Sequence, residues 1–576
     1  MTKEMVVSDV VVPKRRAAQM PVGIGRDRAL RWLLWACVLA SLGVLVLYPL
    51  VWLIIGSFQT AFGAWTLGHY REVFSSYYLD LFWDTLVFTF LTTLCALVLG
   101  IPMAWLVART DMPGKSLFRA ASAVTYVLPP LFQAMAFVFI FQPNAGLMNL
   151  LCEYLFGTKP FNIFTFTGLV LVTALGAYPQ SFLLVDSALR SMDPTLEEAA
   201  TTVGASRWRT LRKITLPLVL PSILTGMNLT AIHCLVVFGP PAVIGIPAKI
   251  YVMATQIYAE LSAYPPRLEF TAALSILFLG FAALLMTFQL FILRKRSFST
   301  IVGKGMRPRD IALGRWKWPA FGLCASVVFV ALVLPAAILV SISLSKVWTD
   351  WFRVGNFTFN HYINVLFVHT RTLQSIGNTL LLAITTVIST LTAGLVIAYI
   401  VVKTRNRGRH VLNYLSFLPY SVPGAVFTVG VILAFIRPPL VLYGSLAILV
   451  ACYFARFLPF AIQPLAAALR QIDNSLLEAG RVVGAGWWRT AGRILLPLIK
   501  FSVLSTVLLV FVACLREVVS AILLAAPEIE TMMVAAFRLW EEGSVQETAA
   551  LMVVLLIMVL IFFVIARGLI GNRLYD

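Results

Sequence analysis

Long apolar runs separated by short polar stretches dominate this 576-residue chain. A helix needs about 20 apolar residues to cross the hydrocarbon of a bilayer, and twelve runs approach or exceed that length. The first set lies near 31–56, 85–108, 118–142, 164–187, 218–242 and 268–293. A second set lies near 319–344, 378–402, 411–436, 442–466, 501–525 and 546–568. The pattern predicts an all-α polytopic membrane protein. Asp84 and Asn378 fall at equivalent helix starts in the two sets, where their side chains suit N-capping. The first run is too long for a signal-peptide core and lacks a small-residue cleavage site, so it reads as a retained helix.

Composition agrees. Sixty per cent of residues are hydrophobic and 12% charged, and the mean hydropathy of +0.89 lies far above soluble proteins. Helices packed in lipid tolerate Gly and Pro, so 35 Gly and 29 Pro do not disturb the reading. A net charge of +20 raises the question of nucleic acid, which the distribution of the charge answers. Of 45 Lys and Arg, 34 fall on one side of the twelve spans, nine on the other, and two, Arg456 and Arg516, within them. That asymmetry places the basic side, with both termini, in the cytoplasm and requires no nucleic-acid partner. Seven cysteines show no paired or metal-type spacing and read as inert apolar residues.

The chain repeats itself. Residues 188–217 align with 468–497 at an offset of 280, with 16 identities in 30 positions. Weaker echoes pair Asp84-Thr85-Leu86 with Asn378-Thr379-Leu380, Gly100 and Ala104 with Gly394 and Ala398, Leu128-Pro129 with Leu418-Pro419, and Pro49 with Pro335. The organisation predicted is a basic tail (1–30), a first half (31–293), a linker (294–318) and a second half (319–576). Six spans per half return the chain to its starting side, so the halves are parallel and both repeated loops face the cytoplasm.

Within each loop, Leu196, Ala199, Ala200 and Val203, and likewise Leu476, Ala479, Gly480 and Val483, recur at helical spacing. Thr195 with Glu198, and Ser475 with Glu478, have capping-box spacing at the helix start. Gly204 and Gly484 stand where a left-handed C-terminal turn is needed. A stripe of small residues lets another protein approach closely. The neighbouring Arg and Trp equally suit a helix lying on anionic lipid.

The loop resembles the signature of binding-protein-dependent ABC importer permeases, E-A-A-x3-G-x9-I-x-L-P. Glu198-Ala199-Ala200, Gly204, Ile214, Leu216 and Pro217 match it throughout, and Glu478-Ala479-Gly480, Gly484, Ile494, Leu496 and Pro497 depart only at Gly480. The resemblance implies the type I importer transmembrane fold, with a coupling helix in each loop docking on one of two ATP-binding subunits. It also implies an extracytoplasmic solute-binding protein and a bacterial inner-membrane location. Gly480 raises the question of whether both loops hold their ATPase alike. Tyr48-Pro49-Leu50, Arg109-Thr110-Asp111-Met112-Pro113-Gly114 and Pro143-Asn144-Ala145-Gly146-Leu147-Met148-Asn149 further resemble the fused double permeases of the iron(III) transport group. Related fused permeases serve 2-aminoethylphosphonate and sugar phosphates, which leaves the substrate open.

Catalytic signals are missing from the sequence. Gly114-Lys115-Ser116 lacks the first glycine of a phosphate-binding loop, because position 109 is Arg. No cofactor or metal is expected in the chain, and ATP is expected on a partner. Ionisable groups in spans are costly and mark either interhelical pairs or a translocation path. Arg516, Glu517, Arg456 and His233 are the candidates, with Arg516 the natural attraction point for an anion. A carrier driven by an ion gradient also has twelve spans in parallel repeats, but the repeated loop argues against it.

Overall fold

The computed structural model describes residues 35–193, 195–294, 310–350, 355–404, 408–482 and 485–570. The predicted tail, Gly484, Val483 and most of the linker lie outside the described residues. Among those described, no β-strand forms, and all seven cysteines are free.

Each half contributes nine principal helices in the same order. In the first half these are α1 (Trp35–Ser57), α2 (Ser76–Arg109), α3 (Lys115–Val127), α4 (Pro130–Phe141), α5 (Phe166–Ser191), α6 (Thr195–Thr202), α7 (Leu216–Val236), α8 (Met253–Ser262) and α9 (Leu268–Arg294). The second half repeats them as α10 (Gly314–Ser343), α11 (Thr370–Lys403), α12 (Arg409–Ser421), α13 (Gly424–Phe435), α14 (Leu446–Gln471), α15 (Asn474–Val482), α16 (Lys500–Arg516), α17 (Met532–Glu541) and α18 (Val545–Ile570).

Among the described residues nine helices are long and apolar enough to cross a membrane, and up to twelve if each of three bent pairs is one span. Two of the twelve predicted runs, at 118–142 and 411–436, bend by 97° and 105° between α3 and α4 and between α12 and α13. Proline is the cause: the residue before a proline is pushed out of helical geometry, so Leu128 and Pro129 before Pro130, and Val422 before Pro423, are extended.

Direction shows that each bent pair still makes one crossing. Gly100 in α2 meets Tyr178 and Ser181 in α5, and Arg109 at the end of α2 reaches Glu197 just past the end of α5. The two helices therefore run the same way. Gly394 against Ala461, with Lys403 bonded to Asn474, repeats the arrangement for α11 and α14. Arg437, beyond α13, pairs with Glu269 at the start of α9 at 3.6 Å, which sets these ends of the two halves at one level. The halves are parallel.

The halves are interlocked through their first helices. α1 packs on α13 and α9, and α10 packs on α4 and α18. Gly430 lets the Pro49 carbonyl approach, and Gln133 Nε2 donates to the Ala331 carbonyl at 2.6 Å. Four π-helical turns, Gly43–Leu47, Leu211–Thr215, Phe329–Val333 and Ala491–Leu495, each precede a proline by two residues: Pro49, Pro217, Pro335 and Pro497. A proline offers no N–H and clashes with the carbonyl four residues back, and the wider turn relieves both.

The expected caps at Asp84 and Asn378 are corrected. α2 begins at Ser76 and α11 at Thr370, so both residues lie inside helices. Asn378 instead donates to the Glu528 and Glu530 carbonyls at 3.0 and 3.1 Å. The helices extend beyond the predicted starts, where the Tyr78 hydroxyl in α2 donates to Glu260 in α8 at 2.7 Å, a contact that local sequence does not reveal.

A Cβ at Gly394 would lie 2.7 Å from the Ala461 Cβ, whereas one at Gly377 on the same helix meets open space. Gly394→Leu is therefore expected to cost about 1–3 kcal/mol by overpacking, and Gly377→Leu to leave stability unchanged. Thermal unfolding of the two purified variants followed by size-exclusion chromatography checks the contrast.

Candidate functional site

Two features carry chemistry: the paired loops on one face, and a cavity between the halves. In the first loop, Asp193 Oδ1 accepts from the Thr195 N–H at 2.9 Å and the Thr195 hydroxyl at 2.8 Å, and in the second, Asp473 Oδ1 accepts from the Ser475 N–H at 2.8 Å. These bonds, the backbone one first, hold both carboxyls below their usual range. The caps are thus Asp193 and Asp473, with Thr195 and Ser475 as donors rather than the caps they were predicted to be. A depressed pKa means that the capping contribution is present above the ordinary carboxylate range near pH 4 and is lost as pH falls through the folded value.

At the other end, Gly204 adopts φ +78°, and the Ala205 N–H reaches the Ala200 carbonyl at 2.9 Å. This is the bond of a Schellman turn, and it confirms the geometric reason for glycine there. The Ala485 N–H makes the same bond to the Gly480 carbonyl at 2.9 Å.

The small-residue stripe divides. Ala200 and Gly480 are buried against their own half, and a Cβ at Gly480 would approach Thr490 Oγ1 at 3.3 Å and Ile494 Cδ1 at 3.4 Å. Glu198, Ala199, Glu478 and Ala479 face outward beside Leu196, Val203, Leu476 and Val482, with Val203 83% and Val482 86% exposed. The unusual Gly480 is therefore an internal packing feature. It does not lie on the exposed face.

The loops differ more in how they are anchored. Arg109, 1% exposed, is ion-paired to Glu197, whose other oxygen accepts from Thr215 Oγ1 at 2.5 Å. One carboxylate thus ties α6 to the end of α2 and to the π-helical turn before α7. In the second half these positions are Lys403 and Leu477. Lys403 Nζ donates to the Ile472 carbonyl at 2.5 Å and Asn474 Oδ1 at 2.9 Å, while Leu477 is buried as an apolar side chain. Gly114-Lys115-Ser116, which lacks the phosphate-loop pattern, is a helix start, with Gly114 at φ +75° and Lys115 paired to Asp310 at 2.7 Å.

The cavity, about 670 Å³, is lined by Arg456, Arg516, Glu517 and His233, which brings all four predicted path residues together. Size and lining are those of a small-ligand site. Tyr126, Tyr420, Gln180, Pro130 and Gly424 also line it. α7 ends at Val236 and α16 at Arg516, so the predicted continuous runs 218–242 and 501–525 break here. Glu517 is extended and turns away from Arg516 because the helix has ended, not through helical spacing. Its Oε1 accepts from Arg456 Nη1 at 2.6 Å and from the Ser520 N–H at 3.0 Å. Arg516 stacks over the Tyr126 ring at 5.0 Å. Its Nε is buried without a hydrogen-bond partner, and among the described residues Arg516 makes no ion pair within 4.0 Å.

Sequence reasoning missed Tyr126 and Tyr420 because it aligned Leu128-Pro129 with Leu418-Pro419. The bends match Pro129 with Pro423, an offset of 294, which brings Tyr126 onto Tyr420. That offset was legible in the Asp84 and Asn378 pair. Asp193 and Asp473 were legible as identities in the repeat, but nothing local links Arg109 to Glu197.

Removing one partner of a buried ion pair leaves a stranded charge, at about 3–5 kcal/mol. Glu197→Gln is expected to destabilise by that order and to speed amide hydrogen exchange across 195–202. Lys403→Met, which removes hydrogen bonds to a charged group, should cost less, about 1.5–3 kcal/mol. Denaturant unfolding and exchange of the two variants check the ranking.

Among relatives, the ferric transport system permease protein FbpB of Actinobacillus pleuropneumoniae is 28% identical over 475 residues, covering 81% of this chain and 68% of that one. The Fe(3+)-transport system permease protein FbpB 2 of Haemophilus influenzae is 23% identical over 478 residues, covering 82% and 85%. A solved bacterial ABC transporter involved in import of the acidic polysaccharide alginate aligns with 48% of this chain and 99% of its own, at 19% identity and a TM-score of 0.41. The model of one family matches twice, over residues 96–298 and 390–574, that is, from within α2 to beyond α9 and from within α11 to beyond α18. With two thirds of its length matched in two copies, the chain belongs to the binding-protein-dependent transport system inner membrane components.

Proposed function

We propose that this chain is the translocation unit of an ATP-driven importer, in which two ATP-binding subunits dock on α6 and α15 and a solute-binding protein docks on the opposite face. The basic face carrying both loops is cytoplasmic. ATP is bound and hydrolysed by the partner subunits; this chain supplies the path and performs no covalent chemistry. Iron(III) is the solute, a reading supported by the ferric transport names of relatives that align with more than four fifths of the chain.

One observation carries the proposal: the same capped, exposed-apolar helix is built twice, on the same face, by two halves that meet at one charged cavity. Exposed apolar side chains in a defined helical pattern await a partner surface. Closure of two ATPase subunits would move α6 and α15 together. The first moves through the Arg109–Glu197–Thr215 anchor, so the motion passes as a rigid body into α2 and α7 and exposes the cavity to alternate sides.

Reconstitution with the ATPase and a loaded binding protein in proteoliposomes tests this. Radioactive iron uptake is expected to require ATP and to fall at least tenfold in Gly204→Val, because a β-branched residue is strained at φ +78°. Uptake driven by an ion gradient without ATP would overturn the proposal, as would normal uptake by a Gly204→Val permease whose α6 is shown to be distorted.

A further inference from the structure

The charges in the cavity do not suit a bare metal cation. Glu517 is the one carboxylate among its lining residues, and Arg456 already holds it at 2.6 Å, with Arg456 Nη1 also bonded to Ser520 Oγ at 2.6 Å. Arg516 is left over. Counting Arg456 and Arg516 against Glu517, with His233 neutral, the lining carries one net positive charge. A hard trivalent ion needs several oxygen ligands and would here meet a surplus guanidinium instead.

Three further observations point the same way. The buried Arg516 Nε has no hydrogen-bond partner and so retains a donor to offer. α4 and α13, of 12 residues each, begin at Pro130 and Gly424 on the cavity wall, and neither has a side-chain cap. The positive ends of both dipoles thus lie at the same space, with the first N–H groups of α13, whereas α4 starts on a proline that has none. The Arg456 guanidinium fills the space beside Gly424 that any side chain would occupy: a Cβ there would stand 2.5 Å from Nη2. The second half has in this way built a cation against a helix N-terminus, with Glu517 as the carboxylate that offsets it and Arg516 as the charge left over.

We propose that the cavity is an anion site anchored by Arg516, and that the metal crosses as a complex with a carboxylate or phosphate ligand whose oxygens face Arg516, rather than as a naked ion. The proposal rests on the iron reading above for its metal and on the cavity alone for its anion. Glu517 tunes it: by neutralising Arg456, this carboxylate holds the site at one positive charge, so that the ligand can also leave.

The test is equilibrium binding to the purified permease in nanodiscs, using [14C]citrate and [32P]phosphate, each alone and with equimolar iron(III). Saturable binding of the iron complexes is expected, about tenfold weaker in Arg516→Gln, retained in Arg516→Lys, and about tenfold tighter in Glu517→Gln. The opposite signs separate a charge effect from damage to the fold, which would weaken binding in both neutral variants. Equal binding in all variants would overturn the proposal, as would no binding of any probe, or iron retained without counts of its anion. Tighter binding of the free anions than of their iron complexes would overturn the metal part and leave the anion site. The two readings fail separately. ATP-dependent iron uptake with charge-insensitive binding removes this inference alone, whereas charge-dependent anion binding without iron uptake removes the iron reading alone.

Discussion

Hydrocarbon offers no hydrogen-bond partner to a main chain, so a helix that stops in mid-membrane has to stop where protein or water can serve its open ends. Among the described residues, four such stops meet at one place. The breaks at Leu128–Pro129, Val422–Pro423, Val236–Val237 and Arg516–Glu517 all border one cavity. The close backbone approaches follow from that convergence: Gly239, just beyond the end of α7, abuts the Leu131 backbone, and a Cβ there would lie 2.6 Å from its nitrogen. The lipid-facing surface shows the other side of the constraint, because the uninterrupted α2 and α11 turn Trp83, Phe90, Ile384 and Ile388 outward. The broken helices end at the path, and the continuous α5 and α14 complete its wall with Gln180 and Arg456.

Much of this was legible because the bilayer imposes a length, a polarity and a charge bias that are written locally. The apolar runs, the repeat, the helix of each loop and the glycine of the first required only neighbouring residues. The bends did not register, since a proline inside an apolar run is tolerated in many membrane helices, as at Pro102 and Pro179 here; proline sets where the chain turns, and the packing of α10 on α4 and of α1 on α13 accompanies the turn near 100°. Residues brought together across the fold were equally hidden. Arg109 and Glu197 are 88 positions apart, Arg456 and Glu517 61. Each was visible as a charge, and none as a pair.

The frame is close to two-fold, and the chemistry is not. Position 477 is Leu where the first half has Glu197, so one loop is anchored by a buried ion pair and the other by a lysine on a carbonyl and an amide. In the cavity, the positions equivalent to Arg456, Arg516 and Glu517 are Gly176, Val236 and Val237. The charged group belongs wholly to the second half, and the first answers with His233, Gln180 and Tyr126.

Fusion is what permits that difference. Two identical subunits around a two-fold axis would carry every cavity charge twice, and a second Arg516 facing the first would raise the repulsion in a low-dielectric space. A substrate in such a site would also meet two equivalent orientations. With both halves on one chain, Tyr126 of the first half can stack on Arg516 of the second at 5.0 Å while Tyr420 packs against Phe460 with ring centroids 5.2 Å apart. The symmetric scaffold then serves the motion, because both loops must move together under their partners, and the asymmetric lining serves recognition, because a small solute needs a single arrangement of charge. Duplication supplied the first, and divergence at Gly176 against Arg456 and Val236 against Arg516 supplied the second.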